Sequence, residues 1–167
     1  ILLFHTYATV TEVRMTIQSS KKPLIGPNPE FLANLMIEIE KKCSSVPQSL
    51  RFAAFDADGT LWDSDIGENF FEFQIENCGL ALPADPWKHY RELKKQYPPL
   101  AYTWLATINA GFSLQQVRGW AKSAIDRQSI SIFESQRQLI EFLRKLEFKI
   151  FVVTASVKWA VEPAAAL

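Results

Sequence analysis

The segment Arg51-Phe-Ala-Ala-Phe-Asp56-Ala-Asp58-Gly59-Thr60-Leu61-Trp62 constrains the fold more than any other, because it places two carboxylates one residue apart directly behind a short apolar run. Phe52 to Phe55 has the length and aromatic content of a buried strand, and Gly59 lets the chain turn sharply behind it. In an open parallel α/β sheet the ligand crevice lies at the carboxyl ends of the strands, so Asp56 and Asp58 are expected where such a fold does its chemistry. An ordinary Asp-Gly-Thr turn accounts for Asp58 and Gly59 without any function. It leaves Asp56 unexplained, since an ionised carboxylate buried without a partner at the end of an apolar strand is costly. A calcium loop also begins Asp-x-Asp, but it needs Gly at its sixth position and Glu at its twelfth, where this chain has Leu61 and Gly67. The remaining reading is a nucleophilic carboxylate beside a second acid, the two held against their mutual repulsion by a divalent cation.

With these residues in hand, Phe55-Asp56-Ala-Asp58-Gly59-Thr60-Leu61 resembles the first motif of the haloacid dehalogenase-like hydrolase superfamily, in the version carried by its phosphatases. The resemblance runs from Arg51 to Leu167 and is closest to the phosphoserine phosphatase-like branch. It implies an α/β fold, a Rossmann-like core with a parallel sheet and an inserted α-helical cap, acting as a lid over the phosphoryl site. The implied activity is Mg²⁺-dependent hydrolysis of a small phosphomonoester, a phosphoserine-like metabolite, through an aspartyl-phosphate. Asp56 is then the nucleophile and Asp58 the acid and base, and both are metal ligands, Asp58 through its backbone carbonyl.

Further along, Thr154-Ala155-Ser156 follows a second apolar run and resembles the family's second motif, in which a residue at the Thr154 position hydrogen-bonds the phosphate. Ser156 also serves as an ordinary helix N-cap. In phosphoserine phosphatases a carboxylate near the position of Asp65 contacts the substrate amine, whereas Asp65-x-x-Glu68 before an apolar helical face is equally a capping box. The family's downstream lysine and acidic pair are not met before Leu167, so the 167 residues by themselves are expected to be inactive. A non-catalytic phosphate-binding or partial protein of the same fold is the alternative. A signalling receiver fits less well, because it has no helical insert after its first acidic strand.

The flanking sequence fits one globular domain with an inserted subdomain: 167 residues, 48% hydrophobic, formal net charge zero. Without a basic stripe, nucleic acid is not expected as a partner, and no segment reads as a membrane span or a leader. A cytoplasmic location is expected, with Cys43 and Cys78 as free thiols, too far apart in sequence and without metal-ligand spacing. Residues 1–14 match nothing in the family, and His5 and His89 have no partners that suggest a triad. The core begins with residues 15–62, where Asn28-Pro29-Glu30 starts a helix carrying Phe31, Leu32, Leu35, Met36 and Ile39 at helical spacing. Residues 63–133 read as four helices of a cap. Ile66, Phe70 and Phe73 share one face, Asp85-Pro86 opens a second helix that Pro98-Pro99 stops, Gly111 ends a third, and Ser113 with Gln116 caps a fourth. Trp104 and Trp120 are expected in the bundle core and Trp62 at the entrance of the site. Residues 134–167 resume the core with a helix and the strand Lys149 to Val153, parallel to the first. Two strands and a helix cannot cover both sheet faces, so Phe52, Phe55, Phe151 and Val153 are expected to stay partly exposed.

Overall fold

A computed structural model of the chain describes residues 9–12, 28–128 and 130–166. The architecture is mixed α/β and mostly helical. Its sheet has the strand order β1-β3-β2, with β1 at Thr9–Glu12, β2 at Phe52–Phe55 and β3 at Lys149–Thr154. Strands β2 and β3 are parallel, in the register Phe52 to Lys149, Ala53 to Ile150, Ala54 to Phe151 and Phe55 to Val152. Edge strand β1 comes from the stretch that has no counterpart in the family motifs. The other residues of 1–14, and His5 among them, lie outside the described residues.

The period of two along each strand separates the faces. On one face Phe55, Ile150, Val152 and Thr154 are buried. On the other, Phe52 is 50% exposed, and its ring lies 6.0 Å from that of half-buried Phe151. Exposure of Phe52 and partial exposure of Phe151 and Val153 are therefore as expected, whereas Phe55 is covered, because register puts it beside Val152 on the inward face.

Chain contacts divide the molecule into two compact units. The sheet unit takes the described residues of Val10–Ser64 together with Ile130–Thr154. It holds α1 (Pro29–Cys43) and α6 (Glu134–Lys145), which pack on each other, and α6 also packs on β3. Helix α1 begins as its sequence suggests: Asn28 accepts the Glu30 N–H at 2.9 Å, Pro29 sits in the first turn, and Lys41 and Lys42 close the last. Leu61 to Asp63 leave the motif alongside Ser131 to Phe133, with Phe133 N–H donating to Leu61 O at 2.9 Å and Asp63 N–H to Ser131 O at 3.3 Å.

The helical unit takes the described residues of Asp65–Ser129 together with Ala155–Ala164. It contains α2 (Ile66–Asn77), α3 (Pro86–Gln96), α4 (Pro98–Thr107), α5 (Leu114–Arg127) and α7 (Lys158–Ala164). Helix α3 is capped by Asp85 and α5 by the full Ser113/Gln116 capping box. Pro98 does more than stop α3: with φ preset and no N–H to satisfy, it also opens α4 one residue after Tyr97. The buried face of α2 is Ile66, Gly67, Phe70, Phe71 and Gln74 rather than one containing Phe73. Phe71 meets Trp87 and Trp104 edge-on, at centroid distances of 4.9 and 5.3 Å, and His89 packs against Trp104 at 4.9 Å. Gln74 can be buried because its amide donates to Asn109 Oδ1 at 2.7 Å.

Beside this cluster Glu68 Oε1 accepts from Lys94 Nζ at 2.8 Å and from the Tyr90 hydroxyl at 3.1 Å. Burial first, and then the Glu68 charge, pushes the Tyr90 phenol above its usual range, so it stays neutral and donating. The Glu68 hydrogen bond likewise holds Lys94 above the ordinary lysine value. Cys43 and Cys78 are free thiols. Among the described residues no helix is long and apolar enough to cross a membrane.

Candidate active site

The carboxyl end of β2 turns around a single carbonyl. Ala57, fully buried, accepts from the N–H groups of Thr60 at 3.1 Å and Leu61 at 2.7 Å, and Gly59 takes φ of +70°, which a side chain would disfavour. Burying Ala57 turns its neighbours Asp56 and Asp58 away from the core. Asp56 is exposed and Asp58 half-buried.

Each carboxylate is braced by the residue four positions later. Thr60 Oγ1 donates to Asp56 Oδ2 at 3.0 Å, and Trp62 Nε1 donates to Asp58 Oδ1 at 2.9 Å. Asp56 is exposed, and its Oδ1 accepts no hydrogen bond among the described residues. At the end of the neighbouring strand, buried Thr154 brings its hydroxyl to 3.3 Å from Asp58 Oδ2. Parallel pairing of β2 with β3 is what makes this meeting possible across 96 residues of sequence.

Three of the four residues singled out from sequence thus gather at one sheet end, Asp56, Asp58 and Thr154. Asp65 belongs to the helical unit, where it is the N-cap of α2 and accepts the Glu68 N–H at 2.8 Å. The Glu68 carboxylate does not return to the cap but goes to Lys94 and Tyr90. Trp62 is not at an entrance: it is fully buried, because its indole N–H finds an internal acceptor in Asp58. Thr60 escaped the sequence reading as a site residue, and Trp62 was expected at the entrance instead of on Asp58. The signal available was the repeated spacing of four, Asp56 to Thr60 and Asp58 to Trp62.

A family model described as haloacid dehalogenase-like hydrolase matches residues 53–167, starting within β2 and taking in both strand ends. The chain belongs to the haloacid dehalogenase-like hydrolase family. No curated protein and no solved structure matches it. Members of this family typically use Mg²⁺. Among the described residues no three or more His, Cys, Asp or Glu side chains cluster as a metal cage. Mg²⁺ does not require one, since it is commonly held by one or two carboxylates beside water and substrate phosphate. The hard oxygens of Asp56 and Asp58 at an exposed strand end fit that donor set.

Proposed function

We propose that this haloacid dehalogenase-like hydrolase is a phosphatase acting on a small phosphomonoester, a phosphoserine-like metabolite, through an aspartyl-phosphate on Asp56. The observation that carries the reading is the contrast between the two carboxylates. Asp56 is exposed and only its Oδ2 is hydrogen-bonded among the described residues, which suits a nucleophile, while Asp58 is held on both oxygens, as suits a group that moves a proton at a fixed place. In the first step an Asp56 oxygen forms a bond to phosphorus as the bond to the leaving oxygen breaks, and Asp58 delivers its proton to that oxygen. In the second step Asp58 takes a proton from water as it attacks phosphorus, and Asp56 is released. Bound Mg²⁺, held by the Asp56 carboxylate and the Asp58 carbonyl, would neutralise phosphate charge that otherwise repels both aspartates. Thr154, buried beside Asp58, is the proposed hydroxyl contact for a phosphoryl oxygen.

For Asp65 we propose contact with a substrate amine, a reading that rests on the resemblance to phosphoserine phosphatases. Its N-cap bond explains the residue without a substrate, so Asp65→Asn separates the two roles: Asn caps equally well but lacks the charge. The experiment is a screen of phosphorylated amino acids, amino alcohols and sugars with the full-length protein and Mg²⁺. Asp56→Asn should abolish turnover with the fold intact, and retained turnover ends the nucleophile assignment. Asp65→Asn should lose activity only on amine-bearing substrates, and an equal loss on sugar phosphates leaves only the cap. A second reading is a non-catalytic phosphate-binding or partial protein of the same fold. It predicts phosphate binding without turnover of any ester in the screen.

A further inference from the structure

Trp62 has more hydrogen-bonding consequence than its place in the core requires. An indole N–H is a donor only, and a buried one needs an acceptor. Trp62 is fully buried, and its backbone is fixed from two sides, by a bridge to Asp58 and another to Ile132. The N–H at 2.9 Å from Asp58 Oδ1 is therefore set by the fold and not by a mobile side chain. On the other side of the carboxyl group, Thr154 Oγ1 stands 3.3 Å from Oδ2. The two partners differ in one respect that matters for proton transfer. A hydroxyl can turn from donor to acceptor, whereas an indole N–H cannot.

Resting on the phosphatase reading above, we propose that Trp62 is a positioning residue that holds the Asp58 carboxyl group by Oδ1 and so presents Oδ2, on the Thr154 side, for proton transfer. The proton leaves Oδ2 for the oxygen of the departing alcohol and returns to Oδ2 from the attacking water. Trp62 takes no part in bond making. It keeps the carboxyl group from rotating, so that the same oxygen serves both steps.

The test compares Trp62→Phe, which keeps the ring and removes the donor, with wild type and Asp58→Asn in the full-length protein. Turnover of alkyl phosphates, whose leaving group needs a proton, should fall about ten- to a hundred-fold in Trp62→Phe. KM should change little, and activated aryl phosphates should be affected least in their first step. In the Asp58→Asn background the same substitution should cost nothing further. Equal losses for good and poor leaving groups, or losses that add to those of Asp58→Asn, would show a merely structural role and overturn the proposal.

A second readout does not depend on activity. The indole ¹⁵N–¹H resonance of Trp62, assigned by its absence in Trp62→Phe or by labelling if that variant does not fold, should shift in Asp58→Asn. An indole resonance unchanged in Asp58→Asn overturns the proposal even if the enzyme is active. If no phosphomonoester is turned over, the phosphatase reading fails by itself, and the resonance still decides whether Trp62 holds Asp58.

Discussion

Arg51 stands one residue ahead of β2, and its guanidinium ties that strand to two helix ends at once. Its Nε donates to Val46 O at 3.0 Å, Nη2 to Cys43 O at 3.1 Å at the end of α1, and Nη1 to Leu146 O at 2.9 Å at the end of α6. Carbonyls at helix C-termini carry partial negative charge and lack intrahelical partners, so a cation with several fixed donors suits them. The carbonyl of Arg51 also accepts the Lys149 N–H at 2.9 Å, next to the first rung between β2 and β3. Arg51→Ala should therefore lower stability by about 2–4 kcal/mol in urea denaturation, from the loss of three charge-assisted bonds and the carbonyls left behind. Arg51→Lys should recover less than half of this, because an ammonium cannot present a planar fork. A lysine variant as stable as wild type would show that the fork is not what holds these ends together. In the sequence Arg51 is only the residue before an apolar run, since its Leu146 partner lies 95 positions away. Asp56 and Asp58 were legible for the opposite reason: their spacing and the strand before them are local.

Among the elements, α2 carries the sharpest steric constraint. A Cβ built on Gly67 would lie 2.7 Å from Ser156 Oγ and 3.4 Å from Asp65 Oδ1, both within the helical unit. In an unconstrained helix, Gly→Ala is worth about 1 kcal/mol of stabilisation. Here Gly67→Ala is expected to destabilise by about 1–3 kcal/mol, because Ser156 or the helix must shift. Adding Ser156→Ala should recover most of the loss, and a double-mutant cycle with no coupling would refute the close approach. Helix ends were well marked in the sequence, because Asn28, Asp85 and the Ser113/Gln116 pair act within one turn. The inward face of α2 was not. Phe71 and Gln74 are chosen over Phe73 by Trp87, Trp104 and Asn109, residues on other helices that periodicity along α2 does not register. Ser156 shows the same limit, since its contact with Gly67 is invisible beside its suitability as a cap.

For the molecule as a whole, the sequence indicated the α/β class, the parallel pairing of the two strands and the helical character of the segment between them. It did not indicate β1, because four residues of strand have no motif and are ordered by an edge of β3 that only the folded sheet provides. Nor did it separate the two sheet faces, which depend on register. That separation can be tested within one strand. Phe55 is 9% exposed and Phe52 50% exposed, three residues apart on opposite faces of β2. Truncating Phe55 removes a packed ring and leaves a cavity, so Phe55→Ala should cost about 3–5 kcal/mol. Phe52→Ala gives up contact with the Phe151 ring, and with the Lys149 ammonium 5.6 Å from its own ring centroid, both at a half-solvated surface. Its cost should be about 1 kcal/mol or less, since neither a cavity nor an unpaired polar group results. Urea denaturation of both variants, with unchanged slopes, is the measurement. Losses of similar size would mean that Phe52 is covered as deeply as Phe55 and would overturn the assignment of an open and a closed face.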